Sequence, residues 1–250
     1  MRALKTFLTL LGIFFLYNAC KVSDHSSKSR PISHETFDAL LRQHVSDVGK
    51  VDYKGFIRDS VKFNQYLNLL RKNHPDEKTW SKDEQLAYWI NAYNAFTIKL
   101  IVDNYPLKSI KDIKNGIAFV NSVWDIKFIK IEDKKYDLNN IEHSIIRPKF
   151  KDPRIHAAVN CASISCPKLL NRAFTADKLN DQLDQVMRDF INDDSRNKVS
   201  ATKPQVSSIF NWYGKDFDGV INFINKYAKT KINKGAKLQY LDYNWALNGV

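Results

Sequence analysis

The chain has 250 residues, 44% of them hydrophobic and 12% aromatic, which is enough for one sizeable core and for one domain or at most two. Its formal charge of +12 points toward anionic partners. The lysines, however, are dispersed, with no arginine-rich run and no stacked-aromatic motif, so no nucleic-acid partner is expected and a solvated basic surface near anionic lipid is the reading left.

The first residues read as an export signal. Arg2 and Lys5 form a basic start, Thr6 to Tyr17 an apolar run, and Ala19 a small residue before Cys20. That run of about 12 residues spans roughly 18 Å, short of the ~30 Å hydrocarbon core, so cleavage is expected rather than membrane spanning. Leu16-Tyr17-Asn18-Ala19-Cys20 is similar to a lipobox, although Tyr17 and Asn18 are bulkier than its usual residues. The expected organisation is a signal peptide at 1–19, then a lipidated Cys20 with a polar, Ser-rich tether to residue 33, then one globular domain at 34–250. The address is the bacterial cell envelope, with the membrane as partner through the lipid. Removing Arg2 and Lys5 with the signal lowers the formal charge to +10.

Within the domain, Phe37, Leu40, Leu41 and Val45 recur at helical spacing and predict a helix over 34–45; Phe63, Tyr66, Leu67 and Leu70 predict another over 61–72. The strongest pattern runs from Ser81 to Asn104, opened by the capping box Ser81-Lys82-Asp83-Glu84 and followed by Pro106. It is apolar on nearly every side from Leu86 to Val102, which predicts a central, buried helix. Ile126 to Ile131 reads as a strand. Asn139 to Arg147 reads as a short helix with a second capping box, Asn139-Asn140-Ile141-Glu142, stopped by Pro148. Ile155 to Val159 reads as a short strand leading into Asn160-Cys161. Leu179 to Ile191 is predicted helical, short strands follow near Val199 and Val206, Val220 to Tyr227 is predicted helical, and Lys237 to Trp245 closes the chain as a strand. The expected fold is one helix-rich α+β domain with a small, mostly antiparallel sheet.

Chemistry concentrates at Asn160-Cys161-Ala162-Ser163-Ile164-Ser165-Cys166-Pro167, with His156 just upstream and His143 on the preceding helix. Four readings stay open from spacing alone. Cys161 and Cys166 can close a disulfide in an oxidising compartment, can bind a metal with His143 and His156, can be inert buried thiols, or can supply a nucleophile at Cys161. A nucleophilic thiol needs an imidazole and a group to orient it. Asn91 and Asn94 are candidates for the orienting group, because two amides in so apolar a helix need specific partners, and Glu142 is another. Arg147, four residues after His143, is a surface charge or an anion-binding group. Trp89, Tyr93, Trp124, Trp212 and Trp245 are expected in the core or lining a pocket.

Six segments, Ala87 to Ala95, Ile141 to Arg147, Asp152 to Cys161, Ser165 to Pro167, Ile209 to Phe217 and Tyr240 to Asn248, together resemble the family catalogued as domain of unknown function 547. The resemblance covers about residues 35 to 248. It implies no established activity, but its pattern keeps the Ile-Glu-His and Cys elements that match His143 and Cys161. The positions of His156 and Cys166 are replaced in some plant members, which implies His143 over His156 as the partner of Cys161. Ala162 departs from the family's usual glycine. The expectation is a thiol-dependent hydrolase or transferase of papain or transglutaminase type acting on a peptide or amide bond, with Cys161 as nucleophile, His143 as proton carrier, and Asn91 or Asn94 as its orienting group. The chain order Asn, His, Cys makes this a permuted triad. No cofactor or metal is expected in that chemistry. The competing expectation is a non-catalytic lipoprotein domain that binds a ligand or protein, with Cys161 and Cys166 joined.

Overall fold

Helix formation at the N-terminal half follows the apolar spacing closely. A computed structural model describes residues 28–114 and 122–250; the signal segment, Cys20 and most of the tether lie outside the described residues. Helices α1 (Glu35–His44), α2 (Tyr53–Arg58) and α3 (Ser60–Lys72) pack on one another, and α2 and α3 pack on α4 (Lys82–Asp103). The Ser81 and Glu84 side chains close both halves of the predicted capping box at the start of α4. Nearly every residue of α4 from Gln85 to Ile101 is buried, so this helix is the axis of the core. Trp89 stands edge-on to Tyr88, whose hydroxyl donates to the Leu70 carbonyl at 2.7 Å and ties α4 to α3.

His34, at the entrance of α1, is buried with Nδ1 2.8 Å from the Tyr66 hydroxyl, and burial lowers its pKa from 6.5 to about 4. The folded protein therefore keeps this ring neutral at pH values where the unfolded chain protonates it. Its contribution to stability is complete above pH 6.5 and is lost as pH falls toward 4. Stability is expected to drop by about 2 kcal/mol from this group between pH 7 and pH 4.5. Denaturant unfolding of the wild type and of His34→Gln at both values checks this; identical acid slopes would refute it.

The middle of the chain departs from its predicted elements in informative ways. Strand β1 is only Ile129–Ile131 and pairs antiparallel with β2 (Lys134–Tyr136). Asn139 does not cap the next helix: its side chain donates to Asp125 at 2.6 Å, and Asp137 accepts the Asn140 N–H instead. Asn140–Ile146 winds as a π-helical turn, with the Arg147 N–H bonding to the Glu142 carbonyl five residues back. Pro148 does not stop this segment either. It sits in the first turn of α5 (Arg147–Phe150), which continues directly from the π-helical turn.

The predicted strand Ile155 to Val159 is a 3₁₀ helix over Pro153–Ala157. Asp152 caps it by accepting the Arg154 N–H, Pro153 presets its first turn, and its residues from Ile155 on are buried continuously rather than alternately. It packs against α6 (Leu179–Ile191), which also meets α8 (Val220–Tyr227). β3 (Gln205–Ser207) and β4 (Gln239–Leu241) pair in parallel, because the intervening chain crosses over through α7 (Ile209–Trp212) and α8 before returning. The described residues form one helix-rich α+β domain with two small two-stranded sheets. None of their helices is long and apolar enough to cross a membrane.

The last residues lace the domain together at the cysteines. Ile164 and Ser165 donate to the Ala246 and Asn244 carbonyls, Asn248 donates back to Ala162, and Val51 donates to Asn248. This tail carries Tyr243 and Trp245 to the loop that bears both thiols.

Candidate functional site

A pocket of about 290 Å³ opens where α4, the π-helical turn, the 3₁₀ helix, the cysteine loop, α7 and the C-terminal tail meet. Cys161, Cys166, His143, His156 and Glu142 all line it.

The loop carrying Cys161 is fixed by amides. Asn94 donates to the Ala158 carbonyl at 2.9 Å and accepts the Asn160 N–H at 2.8 Å. Asn160 in turn accepts the Ala162 N–H and donates to the Pro167 carbonyl, and the Asn248 amide reaches Asn160 while accepting the Tyr53 hydroxyl. Ala162 adopts a left-handed φ of 61°, at the position where the family resemblance places glycine. Asn91 does for Phe174 what Asn94 does for this loop, clamping its N–H and C=O at 3.0 and 2.7 Å. Both amides are thus fully engaged with backbone, and neither is paired with His143. Asn94 holds the cysteine loop and Asn91 holds Phe174, and neither orients an imidazole.

Cys161 is half-buried and its sulfur lies 3.2 Å from Cys166 Sγ, 3.3 Å from Ser163 Oγ and 3.4 Å from the Tyr243 hydroxyl. Both cysteines are free thiols. The hydrogen bond from Cys166 is the chief reason that the Cys161 thiol falls from 9.0 to about 7; bonds from Ser163 and Tyr243 add to it, while burial opposes it. Cys166 lies deeper, and burial pushes its pKa up, so Cys161 is the member of the pair that ionises first.

Neither imidazole is hydrogen-bonded to Cys161. They belong instead to a chain of groups centred on Arg147. Its guanidinium grips Asp216 through Nε and Nη2 at 2.8 and 2.9 Å, and its Nη1 lies 3.1 Å from His143 Nδ1. Arg147 has no acceptor, so Nη1 donates and the proton of a neutral His143 ring sits on Nε2. Glu142, 3.9 Å from the same Nδ1, is beyond hydrogen-bond reach. Asp216 also lies 2.8 Å from Nε2 of His156, a buried ring whose pKa burial lowers, so Nε2–H donates and Nδ1 keeps its lone pair. That Nδ1 is buried and without a partner. The Tyr213 ring is stacked on His156 at 4.1 Å between centroids and also meets the Arg147 guanidinium, 4.9 Å from its centre. The hydrogen bonds of Arg147 hold the Asp216 carboxyl below its usual range.

Among the described residues no group of three or more His, Cys, Asp or Glu is arranged to hold a metal. The Asp216, Tyr213, Ser163 and Tyr243 side chains were not singled out by residue type. Their signal is membership of the segments 160–167, 209–217 and 240–248, whose roles only the fold reveals.

Residues 77–191 match the family model described as protein of unknown function, DUF547. That match supports the resemblance to the DUF547 family over this segment of the chain. The DUF547 match spans α4, both imidazoles, both thiols and α6, whereas Asp216, Trp212, Tyr243 and Trp245 lie C-terminal to it. The DUF547 segment thus supplies the thiols and the C-terminal part completes the pocket around them. No curated protein and no solved structure matches the chain.

Proposed function

We propose that this protein is an envelope lipoprotein whose domain is a thiol-dependent hydrolase or transferase acting on peptide or amide bonds. The observation that carries the reading is Cys161, a thiol half-exposed in a pocket, with its pKa lowered to about 7 by hydrogen bonding with Cys166, Ser163 and Tyr243. Two imidazoles share that pocket in different states. His156 offers a base lone pair with Asp216 behind it, and His143 offers an N–H donor. In this mechanism His156 Nδ1 accepts the thiol proton as Sγ bonds to the carbonyl carbon, and it returns that proton to the departing amine as the C–N bond breaks. Water or a second amine then attacks the thioester, its proton passing through the same nitrogen to the thiolate. His143 Nε2–H suits the carbonyl oxygen as charge develops there. The proton carrier is therefore His156 rather than His143.

The test is alkylation of Cys161 by iodoacetamide across pH, followed by peptide mass mapping, and acyl transfer from p-nitrophenyl acetate. A reactivity midpoint near 7 at Cys161, an acyl adduct on that sulfur and repeated turnover lost in Cys161→Ser are expected. Absolute rates are a poorer readout, because a thiolate of lower pKa is also a weaker nucleophile. A midpoint near 9, or acylation without turnover, would leave a non-catalytic binding domain as the better reading.

The anchor is a separate proposal, motivated by the basic start, the ~12-residue apolar run and Ala19-Cys20. Labelled fatty acid is expected on the wild type and absent from Cys20→Ser. A wild type recovered unlabelled in the soluble envelope fraction would rule it out.

A further inference from the structure

The walls of the pocket specify its occupant further. Trp212, Tyr243 and Trp245 form one aromatic face, with Tyr243 4.8 and 4.5 Å from the two indoles and the indoles stacked at 18°, 6.0 Å apart. Trp124 meets Trp245 edge-on at 5.3 Å. Trp212 is 48% exposed, an unusual position for so large an apolar ring without a covering element. This face leads directly to the thiol, since the Tyr243 hydroxyl lies 3.4 Å from Cys161 Sγ.

The charge of the lining runs against the charge of the chain. The protein carries +12, yet no lysine or arginine lines the pocket, and its one carboxylate, Glu142, is buried in the wall. Arg147 stands behind that wall, where it feels the charge of Glu142, with three of its five N–H donors turned to Asp216 and His143 and its plane over Tyr213. An anionic ligand meets Glu142 and the ionising Cys161 at close range. A purely apolar ligand brings no counter-charge to the buried Glu142. A sugar needs several free polar groups, but the Asn139 amide in the wall is already bonded to Asp125. Aromatic faces beside a carboxylate suit a cation with an apolar coat. The protein supplies its own precedent, since Lys111 Nζ rests 3.9 Å from the centre of Trp245 although Lys111 is not part of the pocket wall.

We infer that the pocket recognises an alkylammonium group on the molecule it takes. This deepens the proposed function, because it rests on the same pocket and names the chemical class of the substrate or acyl acceptor. The group is the shared chemistry of a quaternary ammonium headgroup and of a primary amine such as a lysine side chain.

The experiment titrates choline and its neutral isostere 3,3-dimethylbutanol into the full domain, following tryptophan fluorescence, with n-butylammonium as a third arm. Choline or n-butylammonium is expected to bind at least 10-fold more tightly than the alcohol and to shield Cys161 from iodoacetamide. Glu142→Gln is expected to remove most of that preference, and Trp212→Ala, at an exposed ring that the fold does not need, to weaken both cations. Preference for n-butylammonium assigns a primary amine, and preference for choline a quaternary one. Equal affinity for choline, n-butylammonium and the alcohol overturns the inference. Repeating the titration in Cys161→Ser separates it from the thiol reading. Cation preference beside a thiol midpoint near 9 leaves the inference standing without the enzyme, and a midpoint near 7 without cation preference leaves the enzyme without the inference.

Discussion

Replacing Asn94 with leucine is expected to lower the unfolding free energy by about 3–5 kcal/mol. The substitution strands two buried backbone groups at once, the Ala158 carbonyl and the Asn160 N–H, each worth about 1–3 kcal/mol when left unpaired. At this chain length each kcal/mol corresponds to about 2–4 °C, so a fall of roughly 10 °C in Tm is the measurement to make. Asn91→Leu strands Phe174 in the same way and should match that loss. The two variants differ at the thiol. Asn94 holds the loop that aims Cys161 at Cys166, Ser163 and Tyr243, so its loss should move the alkylation midpoint up toward 9, whereas Asn91→Leu should leave the midpoint near 7. Equal Tm values for wild type and both variants would mean that these amides are not clamps.

Much of this architecture was legible in the sequence wherever one element decides its own structure. The Ser81 capping box, the all-round apolar surface of α4 and the 3.6-residue spacing of α1, α3, α6 and α8 are local signals, and all of these helices form. Asn91 and Asn94 were conspicuous for a sound reason, since a buried amide must have partners. Their partners proved to be backbone segments 64 to 83 residues away, which no local pattern encodes. The run Ile155 to Val159 was misleading, because a short apolar stretch fits a strand or a tightly buried turn equally well. Asp152 and Pro153 decided for the 3₁₀ helix. Asn139 has the right type and spacing for a cap, yet Asp125 claims its amide from across the fold. The site divides in the same manner. The thiols and imidazoles stand out by type within 24 residues of sequence, whereas Asp216 and Tyr243 look like surface residues until α7 and the tail bring them to the pocket.

Asp216→Asn is the substitution with the largest expected effect on chemistry. The carboxylate joins Arg147 to His156, accepting two donors from Arg147 and one from His156. An asparagine of the same shape supplies one acceptor oxygen and one NH₂ group, so either the Arg147 fork or His156 faces a donor where it needs an acceptor. If the amide nitrogen turns to His156, the ring's proton shifts to Nδ1, and the lone pair meant for the thiol proton is lost. Turnover of p-nitrophenyl acetate is therefore expected to fall by up to about 10⁴, the loss that follows when a triad's orienting carboxylate is neutralised. The alkylation midpoint of Cys161 should stay near 7, because its hydrogen-bond partners are Cys166, Ser163 and Tyr243 and none of them touches Asp216. His156→Gln should reproduce the loss, and His143→Gln should cause a smaller one, as suits a donor to the carbonyl oxygen. The pH dependence has a fixed sign. Asp216 is held below its ordinary 3.8, so the ion pair's contribution to stability is present above that pH and is lost only as pH falls through the lowered value. Stability at neutral pH should thus fall modestly in Asp216→Asn, since both partners are partly exposed, while turnover collapses. Turnover within a few-fold of wild type in both Asp216→Asn and His156→Gln, together with its loss in His143→Gln, would return the role of proton carrier to His143.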